Sequence, residues 1–299
     1  MKQIVTILGA GAVALSVSCK PKGTEAAAEG GSSSLVITAI PDEKVSDQAE
    51  NYKPLVKYLS DELGVPVTFS ESSDYAAAVE RFKNGEIHMA WFGGLTGVQA
   101  MESVEGARAI AQGSVDPNFK SYFIAHHTSG LQKSDDFPVE ISDMTFTFGS
   151  PGSTSGRLMP TYFIEQETGK TPEEFFTQPV QFQSEGGHYA TAKAVESGSV
   201  QVGAINYKTY DTMVAEGDLD ASKAQIIWVT PDYADYNLTV HPDLDDQFGE
   251  GFIDKLQTAL VECEDKDALR AFNRDDLIPA KNEDFAGIKA VAEKVGLMR

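Results

Sequence analysis

The sequence predicts an α/β protein of two lobes, each with a largely parallel sheet covered by helices on both faces. Three observations carry that expectation. Short apolar strands alternate with amphipathic helices over residues 35–103, the same order restarts over residues 144–229, and one helix–glycine–strand unit recurs in both stretches. A chain of 299 residues has room for two such lobes, each with its own apolar core.

Residues 35–40 (LVITAI) have the length and composition of a buried strand and stop at Pro41-Asp42. Tyr52, Leu55, Val56, Leu59 and Leu63 then recur at intervals of three and four, which marks a helix that Gly64 closes before Pro66. Residues 65–69 read as a strand, 74–84 as a helix stopped by Gly85, 87–92 as a strand and 96–103 as a helix. The second series runs strand 144–148, a helix from about Thr154, strand 180–182, helix 188–197, strand 201–205, helix 207–215 and strand 224–229. Matching Gly85 with Gly198 lines up residues 74–87 with 187–200 and puts Tyr75 and His188 at equivalent helix starts. Beyond an extended stretch at 237–240 only helices are expected, at 245–263, 267–272 and 283–295. The chain is thus expected to cross back and finish its first lobe. That gives lobe one as 35–124 plus 237–299 and lobe two as 125–236, with hinges at 121–127 and 232–240.

The charge balance is the exceptional part of the composition. With 24 basic against 45 acidic residues the net charge is −21, which argues against generic nucleic-acid binding. It does not choose a small ligand, because local donors hold an anion on an acidic body. Cys19 and Cys263 supply neither a disulfide framework nor zinc-ligand spacing. Residues 1–18 combine Lys2, an apolar stretch and small residues ending at Ser18-Cys19, the layout of a secretory signal too short to span a bilayer. This end resembles a bacterial lipoprotein cleavage site, with Cys19 as the lipid-bearing residue and Ser16 where that motif favours an aliphatic side chain. Residues 19–34 form a Gly/Ser/Ala/Glu tether with nothing to bury.

The most informative stretch is FGSPGSTSGRL at 148–158, which leads from a strand into a helix through glycines and hydroxyls. The first amides of a helix lack intrahelical acceptors and sit at the positive end of its dipole, so such a corner suits an anion. Ser153, Thr154 and Ser155 add hydroxyl donors or act as ordinary caps. No Gly-Lys-Ser/Thr follows, so this is not a Walker loop.

Together with LVKYLSDELGVP (55–66), SDYAA (73–77), AWFGGL (90–95) and Gly187-His188, this corner resembles the substrate-binding components of phosphate/phosphite/phosphonate ABC importers. The resemblance covers residues 35–297; WFGGLTGVQ (91–99) and SGRLMP (155–160) are most similar to the branch described as selenate-binding. It implies a two-lobe type II periplasmic binding protein fold hinged on two crossover strands. The implied ligand set is Tyr75, Trp91, Phe92 and Gly93 from lobe one, Ser153, Thr154, Ser155 and His188 from lobe two, and Asp235 with Tyr236 from the returning crossover. Tyr189 stands where the family has an aspartate, so the acid is either missing or its role passes to Asp232 or Asp235. An acid in the cleft favours a phosphorus oxyanion, which can share a proton; an acid turned to solvent reopens selenate or sulfate.

The remaining candidates read as structural. His88 is expected to be packed, His241 exposed, His126 and His127 no metal site, Arg157 solvated or bridging the lobes, and Cys263 unreactive within an acidic run. The expected function is a monomeric, lipid-tethered, non-enzymatic receptor without cofactor, metal or nucleic-acid partner. It closes on a small tetrahedral oxyanion (phosphonate, phosphite or phosphate) and delivers it to an ABC permease and its ATPase. The alternatives are a selenate or sulfate receptor, a cofactor-free enzyme on the same scaffold, and a sensor module.

Overall fold

The computed structural model describes residues 34–42, 45–183 and 186–298. Residues 1–18, Cys19 and the tether up to residue 33 lie outside them.

The first passage of the chain supplies β1 (Leu35–Ala39), α1 (Val45–Leu63), β2 (Val67–Phe69), α2 (Tyr75–Lys83), β3 (Met89–Phe92), α3 (Gly94–Ser103) and β4 (Arg108–Gly113). β1 pairs in parallel with β2 and β3. Their residues are mostly buried on both faces, as a parallel sheet between helices requires. The chain then enters a second sheet with β5 (Ser121–His126), β6 (Phe146–Phe148), α4 (Met159–Thr168), α5 (Pro172–Phe175), β7 (Gln181–Phe182), α6 (Gly187–Glu196), β8 (Val202–Asn206), α7 (Tyr207–Glu216) and β9 (Ala224–Val229). It returns as β10 (Asn237–Val240), α8 (Leu244–Phe248), α9 (Phe252–Val261), α10 (Lys266–Leu269), β11 (Leu277–Pro279) and α11 (Ala286–Lys294).

The strand orders are β11-β4-β10-β3-β1-β2 and β7-β6-β8-β5-β9. β10 lies antiparallel between β3 and β4, so the chain does cross back into the first sheet as expected. The recurring unit is equally plain. α2 and α6 both end two residues before a glycine with φ of 72°, Gly85 and Gly198, and both open at the site described below.

Four expectations are corrected. Residues 121–124, assigned to lobe one, pair with β8 and β9 in the second sheet, so the first crossover is 114–120 rather than 121–127. It runs against the second crossover through an antiparallel bridge at Phe119 and Tyr233, with mutual backbone hydrogen bonds of 2.8 and 2.9 Å. The helix expected over 245–263 is two helices, because Gly249 and Gly251 take φ of 107° and 83°. β4 was not read as a strand, and β11, three residues at the sheet edge, falls where only helices were expected.

Candidate functional site

The corner after β6 folds as its proline dictates. Pro160 has no N–H, so it cannot donate to the Gly156 carbonyl four residues back. That carbonyl instead accepts from the Gly149 amide at 2.8 Å, which ties the loop to the helix start. The turn over Thr154–Leu158 is wide, with Leu158 N donating to Ser153 O at 3.0 Å. Ser153 is its cap: Oγ accepts from Gly156 N at 2.9 Å. Thr154 and Ser155 open the helix, where amides have no intrahelical acceptor, and both are buried.

Two more helix starts converge on this corner. α3 begins after Gly93, and its amides reach out of the first sheet: Gly94 N donates to Asp235 Oδ1 at 2.8 Å and Leu95 N to Thr154 Oγ1 at 2.9 Å. A Cβ on Gly93 would lie 3.0 Å from Thr154 Oγ1. α6 brings His188, whose backbone N donates to the Asp42 carbonyl at 3.3 Å. Three helix starts thus converge on one cluster of buried polar side chains. Tyr75, the first residue of α2, packs against Gly152, where a Cβ would lie 2.7 Å from Tyr75 Cβ.

The electrostatics follow from burial. His188 Nδ1 accepts from Asn206 N at 3.3 Å, which leaves the proton on Nε2, facing Ser153 Oγ at 3.4 Å and Ser155 Oγ at 3.5 Å. Burial pushes its pKa down to about 3, so the ring is a neutral donor. Asp235 is 1% exposed. Burial pushes its pKa up to about 7 against the Gly94 amide and the Thr154 and Ser155 hydroxyls, which favour the anion. Its Oδ2 and the Tyr75 hydroxyl are both buried and have no partner among the described residues. The site therefore offers neutral donors and one carboxyl poised near neutrality.

A second layer joins the halves behind this cluster. Tyr236 Oη donates to Asp42 Oδ2 at 2.6 Å and accepts from Asn206 Nδ2 at 3.1 Å. Trp91 stacks on the Tyr236 ring at 5.2 Å. The Arg274 guanidinium lies 4.8 Å from the Tyr236 ring and 5.4 Å from that of Trp91, and is held by Asp116 at 2.6 Å. The Asp116 carbonyl in turn accepts from Asp235 N at 3.0 Å, so this ion pair braces the crossover that carries the acid. Burial raises Asp42 to about 6.

Of the residues read from sequence, Tyr75, Gly93, Ser153, Thr154, Ser155, His188 and Asp235 come together. Trp91 and Tyr236 form the layer behind. Phe92 does not join them: alternation along β3 turns it to the opposite face, where it packs on Phe82 at 5.8 Å. Asp232 is exposed and pairs with Lys120 at 3.5 Å, so Asp235 alone is the buried acid of this crossover. His241 is 7% exposed rather than on the surface, edge-on to Phe82. His88 is packed and accepts from Val36 N. Arg157 packs against both Phe148 and Phe182, whose rings stack on each other, within the second half. The His126 and His127 rings touch at a tilt of 52°, and no group of three or more His, Cys, Asp or Glu side chains is placed to hold a metal ion among the described residues. Burial pushes the Cys263 thiol up.

Sequence reasoning missed Asp42, Asn206, Ser121 and the Asp116–Arg274 pair. Ser121 Oγ sits 2.6 Å from both Ser155 O and Tyr233 Oη. Asp42 had a usable signal, a polar residue at the carboxyl end of a parallel strand, where ligands bind in open α/β sheets.

Comparisons with known proteins identify the family and agree with the fold. Residues 37–285 match the model of the family described as ABC transporter, phosphonate, periplasmic substrate-binding protein. The chain is 32% identical over 272 residues to the probable ABC transporter phosphite binding protein PhnD1 of Prochlorococcus marinus, covering 89% of this chain and 91% of that one. It is 30% identical over 312 residues to the phosphate-import protein PhnD of Mycolicibacterium smegmatis, covering 95% and 92%. The solved structure of P. marinus PhnD1 in complex with methylphosphonate superposes with a TM-score of 0.82, 32% identity and coverage of 89% and 99%. A binding protein component of a Pseudomonas aeruginosa ABC phosphonate transporter, 21% identical with a TM-score of 0.73, shares the fold. Fold, site and sequence together show that the chain belongs to the family of periplasmic substrate-binding proteins of phosphonate ABC transporters.

Proposed function

We propose that this protein captures a small tetrahedral phosphorus oxyanion, of the size of methylphosphonate, phosphite or phosphate, by closing its two halves around the Thr154-Ser155 corner. Membership of the family makes it the extracytoplasmic binding component of an ABC importer, with a small ligand, a permease and an ATPase as partners. Cys19 bears the lipid that tethers it, and a single chain is the working unit. The halves act as lobes on the crossovers at 114–120 and 230–236. Contacts from both lobes to one anion favour the closed form, and that form is what a permease recognises.

One observation carries the choice of ligand: Asp235 is buried in the cluster with Oδ2 unpartnered and a pKa near 7. A phosphorus oxyanion has a second pKa near ~6, so acid and ligand hold one proton between them. Either the ligand keeps it and donates to the carboxylate, or Asp235 keeps it and donates to the dianion. Sulfate and selenate bring no proton, so the carboxyl alone must supply it. The small relatives' ligands, phosphite, phosphate and methylphosphonate, all meet the shared-proton condition. The enzyme reading lacks a histidine base: with Nδ1 occupied by the Asn206 amide, His188 Nε2 already holds its proton and cannot activate Ser153 or Ser155.

Calorimetric titration with methylphosphonate, phosphite, phosphate, sulfate and selenate tests this reading. The phosphorus anions are expected to bind at least about tenfold more tightly than sulfate or selenate, and Asp235→Asn is expected to narrow or reverse that gap. Sulfate or selenate binding the unaltered protein as tightly as methylphosphonate would overturn it.

A further inference from the structure

We propose that the groove at the outer edge of the two halves is an encounter site, which takes up the oxyanion before it reaches the buried cluster. This rests on the anion reading above and adds a second site to it.

The groove has a volume of about 440 Å³ and runs between Asn51 of α1, the segment from Lys266 to Asp275, and the facing surfaces of α6 and α7. It shares Asn51, Lys208, Thr209, Asn273 and Arg274 with a small inner cavity, and that cavity reaches Asp42, Trp91, Asn206 and Tyr236. The outer groove is thus joined by a neck to the layer that backs the anion cluster.

Its charge is unlike that of the rest of the molecule. Four basic side chains (Lys208, Lys266, Arg270 and Arg274) and three acidic ones (Glu216, Asp218 and Asp275) line it, against 24 and 45 in the whole chain. Arg274 is neutralised by Asp116. Lys208, Lys266 and Arg270 have no ion-pair partner within 4.0 Å among the described residues. Eight of the 19 basic residues described stand outside such ion pairs, and three of those eight share this groove. Lys208 is half-buried at the neck, while Lys266 and Arg270 are exposed at the rim. For a dianion approaching a body of charge −21, a groove whose three unpaired cations balance its three acidic side chains repels less than the body as a whole, and the effect falls on the association rate and is screened by salt.

The test is stopped-flow association of methylphosphonate over a range of NaCl concentrations. It compares the unaltered protein, the groove variant Lys208→Gln/Lys266→Gln/Arg270→Gln and a control variant with the same net charge, Lys133→Gln/Lys170→Gln/Lys281→Gln. The groove variant is expected to associate at least about fivefold more slowly at low salt, with a dissociation rate within twofold of the unaltered protein. Its association rate should rise with salt, because only the repulsive body remains. The control is expected to stay within twofold throughout. Equal association rates in the groove and control variants would overturn the encounter site while leaving the buried site standing. An unaltered protein that binds none of methylphosphonate, phosphite and phosphate would overturn the anion reading itself.

Discussion

Asp235 and His188 reach neutrality from opposite directions. Burial raises the acid to about 7 and lowers the base to about 3, so near pH 6 both stand uncharged around a site built for an anion. Each shift is also a stability statement. A carboxyl whose folded pKa is raised contributes stability that is complete below its ordinary value of 3.8 and lost as pH rises through about 7. The histidine works the other way, contributing above 6.5 and losing that contribution as pH falls toward 3. Asp235→Asn removes only the first of these. Thermal unfolding without ligand should show this variant melting about 5 °C or more above the unaltered protein at pH 8, with the gap shrinking at pH 5. A gap that does not change with pH would mean that Asp235 is not a buried carboxyl of raised pKa. On this account a group needed for binding costs stability above neutrality when no ligand is bound, which sequence alone could not reveal: Asp232 and Asp235 look alike in a list of acids, and only folding buries one and exposes the other.

The corner after β6 does two jobs that the sequence shows as one run of hydroxyls. Ser153 closes the helix start, whereas Ser155 faces His188 and the Asp235 carboxyl. Ser153→Ala should therefore lower the melting temperature, at a cost of about 1 kcal/mol for a lost cap. Ser155→Ala should leave stability within about 0.5 kcal/mol and weaken methylphosphonate binding about tenfold. Paired calorimetry and melting curves check both. The corner was legible because glycines, hydroxyls and a proline at these spacings leave few backbone solutions. The recurrence of α2 and α6 was legible for the same reason, since two glycines at φ of 72° stop both helices. Short edge elements were not: β11 has three residues, and nothing in Leu277–Pro279 shows that it will find β4 across the chain. The one-face-on, one-face-off alternation of β3 was available in principle and would have separated Trp91 from Phe92.

At the scale of the molecule, the halves meet where a Cβ is missing. Gly152 lies against Tyr75, and a Cβ on Gly187 would lie 3.1–3.2 Å from the Asp42 backbone and the Pro41 carbonyl. Gly152 has no positive φ to forbid another residue, so Gly152→Ala should fold normally and hold the halves apart. The expected result is at least about tenfold weaker binding and loss of the ligand-induced decrease in radius of gyration by small-angle scattering, with the ligand-free melting temperature unchanged. The two-sheet plan and the return of the chain were legible from alternating elements; the joint was not, because the Asp42–Tyr236–Asn206 bridge links residues up to 194 positions apart. The most direct measurement of the shared proton is calorimetry of methylphosphonate binding at pH 8.5 in buffers of different ionisation enthalpy, where Asp235 and the free ligand are both deprotonated. The account predicts uptake of about one proton for each anion bound, falling to near zero in Asp235→Asn. Binding by the unaltered protein with no proton taken up would contradict it.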